Sequence, residues 1–360
     1  MSDVYKRLAE RLDELPNGFP ATESGVELKI LRKNFTPEDA EMALKLKPIP
    51  ETVEAVAERL GKPVSEMRAI LDDMAKKGQI GCFKLFGVQV YLLVPFVVGI
   101  YEFQINRLDK ELAELVEAYA PDLTKAIGGY KPALARTVPV NIQIESTTQI
   151  QPYENIRKMI EEAKSFNLLE CICRKERALE GHACDHTREA CLQFSNEEGA
   201  YDYFQLSGKI ISKEEALQVL DKAEDEGLVH NVFYNVREGH FAVCNCCACC
   251  CGIFRAVKEF KAPYALAKSN FVALIDPDSC SECGVCAEER CPMDAIIEED
   301  SGYRVLPDVC IGCGVCTVTC PTDSITLVER PESERDQPAD DMIDWTLKRA
   351  ADRGIDFRLE

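Results

Sequence analysis

The 360-residue sequence predicts an α+β chain built from three folded parts. Three observations carry this. Residues 1–100 read as successive amphipathic helices followed by alternating apolar stretches, with a single cysteine, Cys82. Residues 151–268 combine helical periodicity with ten cysteines gathered before and after one helix, which marks a cysteine-rich α/β middle domain. Residues 269–330 repeat one cysteine pattern twice in a compact stretch. Residues 101–150 read as a connector, and residues 331–360 as a charged tail with a helix around Trp345.

Composition narrows the chemistry. A hydrophobic fraction of 46% fills cores without crosslinks, so the nineteen cysteines do not compensate for a chain too small to fold. An odd count forbids complete intramolecular pairing. The first residues, MSDVYKRLAERLDELPNG, are charged and lack an apolar core, so no secretory signal is expected. The uncharged run Leu85–Tyr101 contains Gly87, Pro95 and Gly99 and is too short to span a bilayer comfortably; it reads as buried strand and turn. A soluble, cytoplasmic protein is expected, where cysteines serve metal or redox chemistry more often than structural disulfides. The formal charge of −20 argues against general nucleic-acid binding and suits docking on basic partner surfaces.

In the first part, Thr36-Pro37-Glu38-Asp39 supplies an N-cap, a proline at the first helical position and acids in the first turn of a helix running to about Leu46. ETVEAVAERLG places Val53, Val56, Ala57 and Leu60 on one stripe and stops at Gly61. PVSEMRAILDDMAKKG does the same with Val64, Met67, Ile70, Leu71 and Met74. A hairpin is expected over QIGCFKLFGVQVYLLVPF. Helices and hairpin in this order resemble a winged helix-turn-helix domain. Thr36–Leu85 holds nine acids and eight bases, and the helix in the recognition position, Pro63–Lys77, holds three of each. Major-groove readers bring an excess of cations and amides, so a winged helix used for protein contact is expected.

Tyr101–Ala120 reads as an amphipathic connector, and TVPVNIQIE alternates like a strand. Helices are expected at ENIRKMIEEAKSF and at SKEEALQVLDKAEDEG, the second opening on a Ser212/Glu215 capping box and closing at Gly227.

The last part reads CSECGVCAEERCPMDAI and, thirty residues on, CIGCGVCTVTCPTDSI. Each run is C-x2-C-x2-C with a fourth cysteine before a proline. Two intervening residues let a tight loop present successive thiolates to one small centre, and Gly284, Gly312 and Gly314 permit close backbone approach. Zinc ribbons and disulfide frameworks also use paired cysteines but do not explain the duplicated triplet followed by Cys-Pro. Over about sixty residues the pattern resembles the bacterial two-cluster (2[4Fe–4S]) ferredoxins. That resemblance implies a ferredoxin-like fold with one cluster on Cys280, Cys283, Cys286 and Cys320, and another on Cys310, Cys313, Cys316 and Cys291. Cys286 and Cys291 are separated by four residues where the family run has three.

The middle domain carries Cys171, Cys173, Cys184 and Cys191, then CNCCACCC with Cys244, Cys246, Cys247, Cys249, Cys250 and Cys251. Neighbouring thiols of an extended chain face opposite ways, so the octet cannot converge on one point. It contains overlapping C-x2-C pairs, Cys246/Cys249 and Cys247/Cys250. One or two further iron–sulfur clusters are expected here. Zinc on His182, Cys184, His186 and Cys191, structural disulfides, and a thiol relay such as Cys246/Cys247 remain open. Arg174, Lys175 and Arg255 lie close enough in sequence to stabilise anionic ligands. The whole arrangement resembles the multidomain ferredoxin-type iron–sulfur proteins of anaerobes, which implies electron transfer and no particular substrate.

The expected function is therefore relay of single electrons between a redox protein partner and further clusters in the middle domain. A carrier or oxidoreductase subunit fits better than a stand-alone enzyme. The rivals are an oxidoreductase whose active site is a middle-domain cluster and a redox-sensing winged-helix regulator. No dinucleotide or P-loop fingerprint supports NAD, FAD or ATP.

Overall fold

A computed structural model describes residues 3–140, 151–202, 208–300 and 302–357 and shows mixed helices and sheets. Among the described residues, no helix is long and apolar enough to cross a membrane.

The first part packs helices α1 (Val4–Asp13), α2 (Val26–Asn34), α3 (Pro37–Ala43), α4 (Val53–Leu60) and α5 (Val64–Lys76) against a small antiparallel sheet. Its strands are β1 (Glu51–Thr52), β2 (Gly81–Leu85) and β3 (Val88–Leu92), in the order β1-β3-β2. Thr36 and Asp39 form a reciprocal capping box on α3, and Gly61 ends α4 in the left-handed region at φ +64°. Of the periodic residues, Val53, Val56, Ala57, Met67, Leu71 and Met74 are buried and Leu60 and Ile70 half-buried, whereas Val64, in the first turn of α5, is exposed. The two-residue β1 is too short for its pattern to have marked it.

Helix α6 (Lys110–Gly128) leads to β4 (Ala135–Val138). Of the strand read over TVPVNIQIE, residues 141–145 lie outside the described residues. The middle part then supplies α7 (Ile156–Glu162), β5 (Ser165–Glu170), α8 (Ile172–Leu179), β6 (Glu189–Ser195), β7 (Gly208–Ile211), α9 (Lys213–Asp225), β8 (Val229–Phe233), β9 (Ala242–Cys246), α10 (Gly252–Lys258) and β10 (Leu266–Ala267). The helix read across Glu154–Phe166 stops at Glu162, because Phe166 is taken as a buried strand residue. A seven-stranded sheet runs β10-β4-β8-β9-β6-β5-β7, with only β10 and β4 parallel.

Strand alternation gives this sheet two distinct faces. Leu192, Phe194, Val232, Val243 and Phe166 bury one face together with Ile160, Ala216 and Leu220 of α7 and α9. The intervening residues Leu169, Cys191, Phe233, Cys244 and Cys246 line a cavity on the other, closed by α6, α8 and α10.

The last part pairs β11 (Phe271–Ile275) with β14 (Ile325–Glu329), and β12 (Ile296–Glu299) with β13 (Gly302–Val305). Short helix α11 (Val315–Val318) follows the second cysteine triplet. The four-residue spacing in the first repeat is absorbed by one wide turn over Cys286–Arg290, closed by a hydrogen bond from the Cys291 N–H to the Cys286 carbonyl at 3.0 Å. Finally α12 (Met342–Asp352), within the charged tail, returns to the N-terminal half. Trp345 is buried, and its Nε1 donates to the Ala133 carbonyl at 2.9 Å.

Candidate metal centres

The eight cysteines of the last part divide between two small pockets. Cys280, Cys283, Cys286 and Cys320 line one, which Cys316 also touches. Cys291, Cys310, Cys313 and Cys316 line the other. Each has a volume of about 20 Å³. Backbone amides are aimed at sulfur: Glu282 N–H donates to Cys280 Sγ at 3.4 Å, Ala295 N–H to Cys291 Sγ at 3.1 Å, and Gly312 N–H to Cys310 Sγ at 3.4 Å. Such donors favour the thiolate over the thiol, as metal ligation requires. The loops are also tight. Gly312 has φ +69°, and a Cβ there would lie 2.1 Å from the Phe271 carbonyl oxygen.

The two pockets differ in exposure. Cys283 is exposed, whereas Cys310, Cys313 and Cys316 are buried. The buried pocket's loop is tied inward. Val140 N–H donates to the Cys313 carbonyl at 2.9 Å, and Arg330 Nη2 donates to the Cys310 carbonyl at 2.7 Å. Burial pushes the Cys313 thiol up to about 12, a cost that ligation to a cation would reverse.

The ten middle cysteines fall into two groups. Cys171, Cys173, Cys191, Cys244, Cys246 and Cys251 line the large cavity, which measures about 150 Å³ and which Cys247 and Cys250 of the second group also touch. Its remaining wall is mostly apolar, including Val97, Ile105, Val116, Leu123 and Phe260. Cys191 and Cys244 are cross-strand partners on β6 and β9, with sulfurs 3.6 Å apart. Cys171 and Cys251 are the N-cap residues of α8 and α10, so two helix N-termini open toward the thiols. A hydrogen bond from Cys173, aided by the Arg174 guanidinium and opposed by burial, lowers the Cys171 thiol to about 7. Cys246 is held down by hydrogen bonds from Cys244 and Cys251.

The second group is Cys184, Cys247, Cys249 and Cys250, whose sulfurs all lie within 4.8 Å of one another. The octet thus splits where β9 ends. Cys244 and Cys246 stay on the cavity face of the strand, and the turn after Cys246 carries Cys247, Cys249 and Cys250 to Cys184. The overlapping C-x2-C pair Cys246/Cys249 is thereby separated. The zinc set read from His182, Cys184, His186 and Cys191 is not assembled: His182 is exposed, and Cys191 belongs to the cavity wall.

Polar groups surround the cavity that spacing alone could not reveal. Arg174 is 2% exposed and donates to the Thr187 and Asn245 carbonyls at 2.7 and 2.8 Å. Arg255 meets Glu117 in two parallel bonds of 2.7 and 2.8 Å. Lys175 lies beside Glu170 and donates to the Ile105 carbonyl. Glu176, whose carboxylate accepts from the Tyr101 hydroxyl, is pushed up to about 7 by burial. Tyr101 comes from the turn that precedes α6, Glu117 from α6 and Glu176 from α8, and no spacing pattern marks any of them.

Comparison with protein families matches residues 303–326 to the 4Fe-4S binding domain, Fer4. No curated protein and no solved structure matches the chain. The matched stretch contains Cys310, Cys313, Cys316 and Cys320, so this part of the chain is a ferredoxin-type iron–sulfur binding segment.

Proposed function

We propose that this chain is a multidomain iron–sulfur electron-transfer protein whose last part holds two [4Fe–4S] groups. Cys280, Cys283, Cys286 and Cys320 would hold one, and Cys310, Cys313, Cys316 and Cys291 the other. The observation that carries the reading is the division of these eight thiols between two pockets, each drawing its fourth cysteine from the other repeat. When bound, such a group supplies a one-electron store whose potential responds to hydrogen bonds and burial.

The chain's own residues give the two sites different roles. Cys283 faces solvent beside exposed Glu282, Glu288 and Glu289, an acidic surface suited to a basic redox partner. The buried site is held toward the middle domain by Val140, and Arg290 links the Asp225 carbonyl of α9 to Thr319 beyond α11. Cys171, Cys173, Cys191, Cys244, Cys246 and Cys251 of the cavity wall would hold a further centre.

One observation favours a second reading, an oxidoreductase with its active site in the middle domain. The thiol-lined cavity, at about 150 Å³, far exceeds the two pockets of about 20 Å³. A small apolar acceptor could sit beside a centre held there. The regulator reading gains no such support. We read residues 36–92 as a winged helix used for protein contact. Arg68 of α5 is paired with Glu54 and Lys77, its C-cap, with Asp73, and the hairpin tip is docked: the Phe86 N–H donates to Glu197 at 2.7 Å.

Anaerobic reductive titration followed by electron paramagnetic resonance tests the proposal. The expected result is several one-electron centres per chain, with Cys283→Ser and Cys313→Ser each removing a different signal. A chain that takes up no electrons refutes it.

A further inference from the structure

We infer that Cys184, Cys247, Cys249 and Cys250 form a separate site for one tetrahedral zinc ion, distinct from any iron–sulfur group in the cavity. The argument is one of size. A single ion bonded to four thiolates at about 2.3 Å sets its sulfurs roughly 3.8 Å apart along every edge of the tetrahedron. A cubane's thiolates bind four different irons and must stand further apart. The four sulfurs here all lie within 4.8 Å of one another, and Cys249 and Cys250 are 3.7 Å apart. Among the described residues, the only other group of three or more such ligands this compact is the carboxylate trio Glu117, Glu176 and Glu180. The eight ferredoxin-type thiols, gathered around two pockets, make no group so tight. The molecule therefore carries its own contrast between cluster spacing and single-ion spacing.

The surroundings agree with a structural ion. Cys247 and Cys250 are buried with Ala223 and Leu228 in a small apolar nucleus apart from the main core, and Cys184 packs against it. Four thiolates on a divalent ion leave a net charge of −2, and the charge of the buried Arg174 guanidinium lies close enough to Cys247 to act on it. An all-sulfur tetrahedral set selects zinc or iron, and zinc stands above ferrous iron in the divalent affinity order. The site also has a task. Cys184 lies between α8 and β6, and the other three lie between β9 and α10. The elements that flank these two segments, with their N-caps, carry Cys171, Cys173, Cys191, Cys244, Cys246 and Cys251, so one ion bridging the segments fixes the spacing of the cavity wall.

This inference does not rest on the electron-transfer reading, and the test separates the two. The full chain is isolated anaerobically, washed with chelator, and analysed for zinc and iron; its zinc-edge X-ray absorption is then recorded. The expected result is about one zinc per chain with four sulfur neighbours at about 2.3 Å. Cys249→Ser, a change at an exposed ligand, is expected to reduce zinc to a trace while leaving the iron content unchanged. Zinc absent from the wild type, nitrogen among its neighbours, or iron lost from Cys249→Ser in place of zinc overturns the inference. If Cys249→Ser does not fold, the wild-type absorption spectrum still decides. Cys313→Ser reports on the electron-transfer reading alone and is expected to lower iron with zinc retained.

Discussion

Glu176 shows what the buried surroundings of the cavity do to a single side chain. Burial raises its carboxyl from the ordinary 4.5 to about 7, so the folded chain binds this proton more tightly than the unfolded chain does. The stabilisation is complete below about pH 4.5 and is lost as pH rises through about 7, a change on the order of 3 kcal/mol at 1.36 kcal/mol per unit. The unfolding midpoint of the wild type should therefore fall between pH 5 and 8 relative to Glu176→Gln, which has no proton to lose; parallel profiles would contradict this. Gly312 makes an opposite case, where any side chain is too much. Gly312→Ala must adopt φ +69° and place a methyl 2.1 Å from a backbone carbonyl oxygen. Metal analysis should show about four irons lost from this variant, the content of one cubane, with the other sites kept.

At the scale of elements, the second repeat and the capped helices were legible because each depends on local chemistry. The N-cap of α3 at Thr36, the Ser212/Glu215 box of α9 and the stripe of α5 all stand where the sequence puts them. The ends of α7 were not, because strand pairing of Phe166 with Phe194 overrides helical periodicity. Nor was the grouping of the middle thiols. Cys191 meets Cys244 only because β6 and β9 are neighbours in a sheet whose order no local pattern specifies. Cys184 meets Cys247, Cys249 and Cys250 across two loops. The first-repeat spacing was legible as a departure, but its wide turn at Cys286–Arg290 needed the backbone. Docking of the β2–β3 tip on Glu197 carries its own expectation. A promoter-length duplex should not be retained even at low salt, where electrostatic binding is strongest. A salt-sensitive complex in a gel-shift assay would reverse the protein-contact reading.

At the scale of the molecule, buried arginines join parts that composition divides. Arg136, fully buried in β4, pairs with Glu154 at 2.8 Å and donates to Asn270 at the start of the last part. Glu154 in turn accepts from the Asn270 N–H at 2.7 Å. Arg349 of α12 is fully buried and donates to the carbonyls of Pro16, Tyr130 and Pro132 at 3.0, 2.7 and 2.7 Å. Arg349→Met strands those acceptors, and the loss should be at least about 3 kcal/mol, since each charge-assisted bond contributes roughly 1.5–3 kcal/mol. It should appear as a lower unfolding midpoint of the N-terminal half together with the tail, not of the tail alone. The ferredoxin-type segment is thus fastened to the rest of the chain, as the proposed route for electrons toward the cavity thiols requires. The most direct test is an iron and acid-labile sulfide count on the anaerobically isolated chain beside Cys313→Ser. The expected result is a brown protein with more than about eight irons per chain, falling by about four in the variant. A colourless protein, or an iron content that Cys313→Ser leaves unchanged, would contradict it.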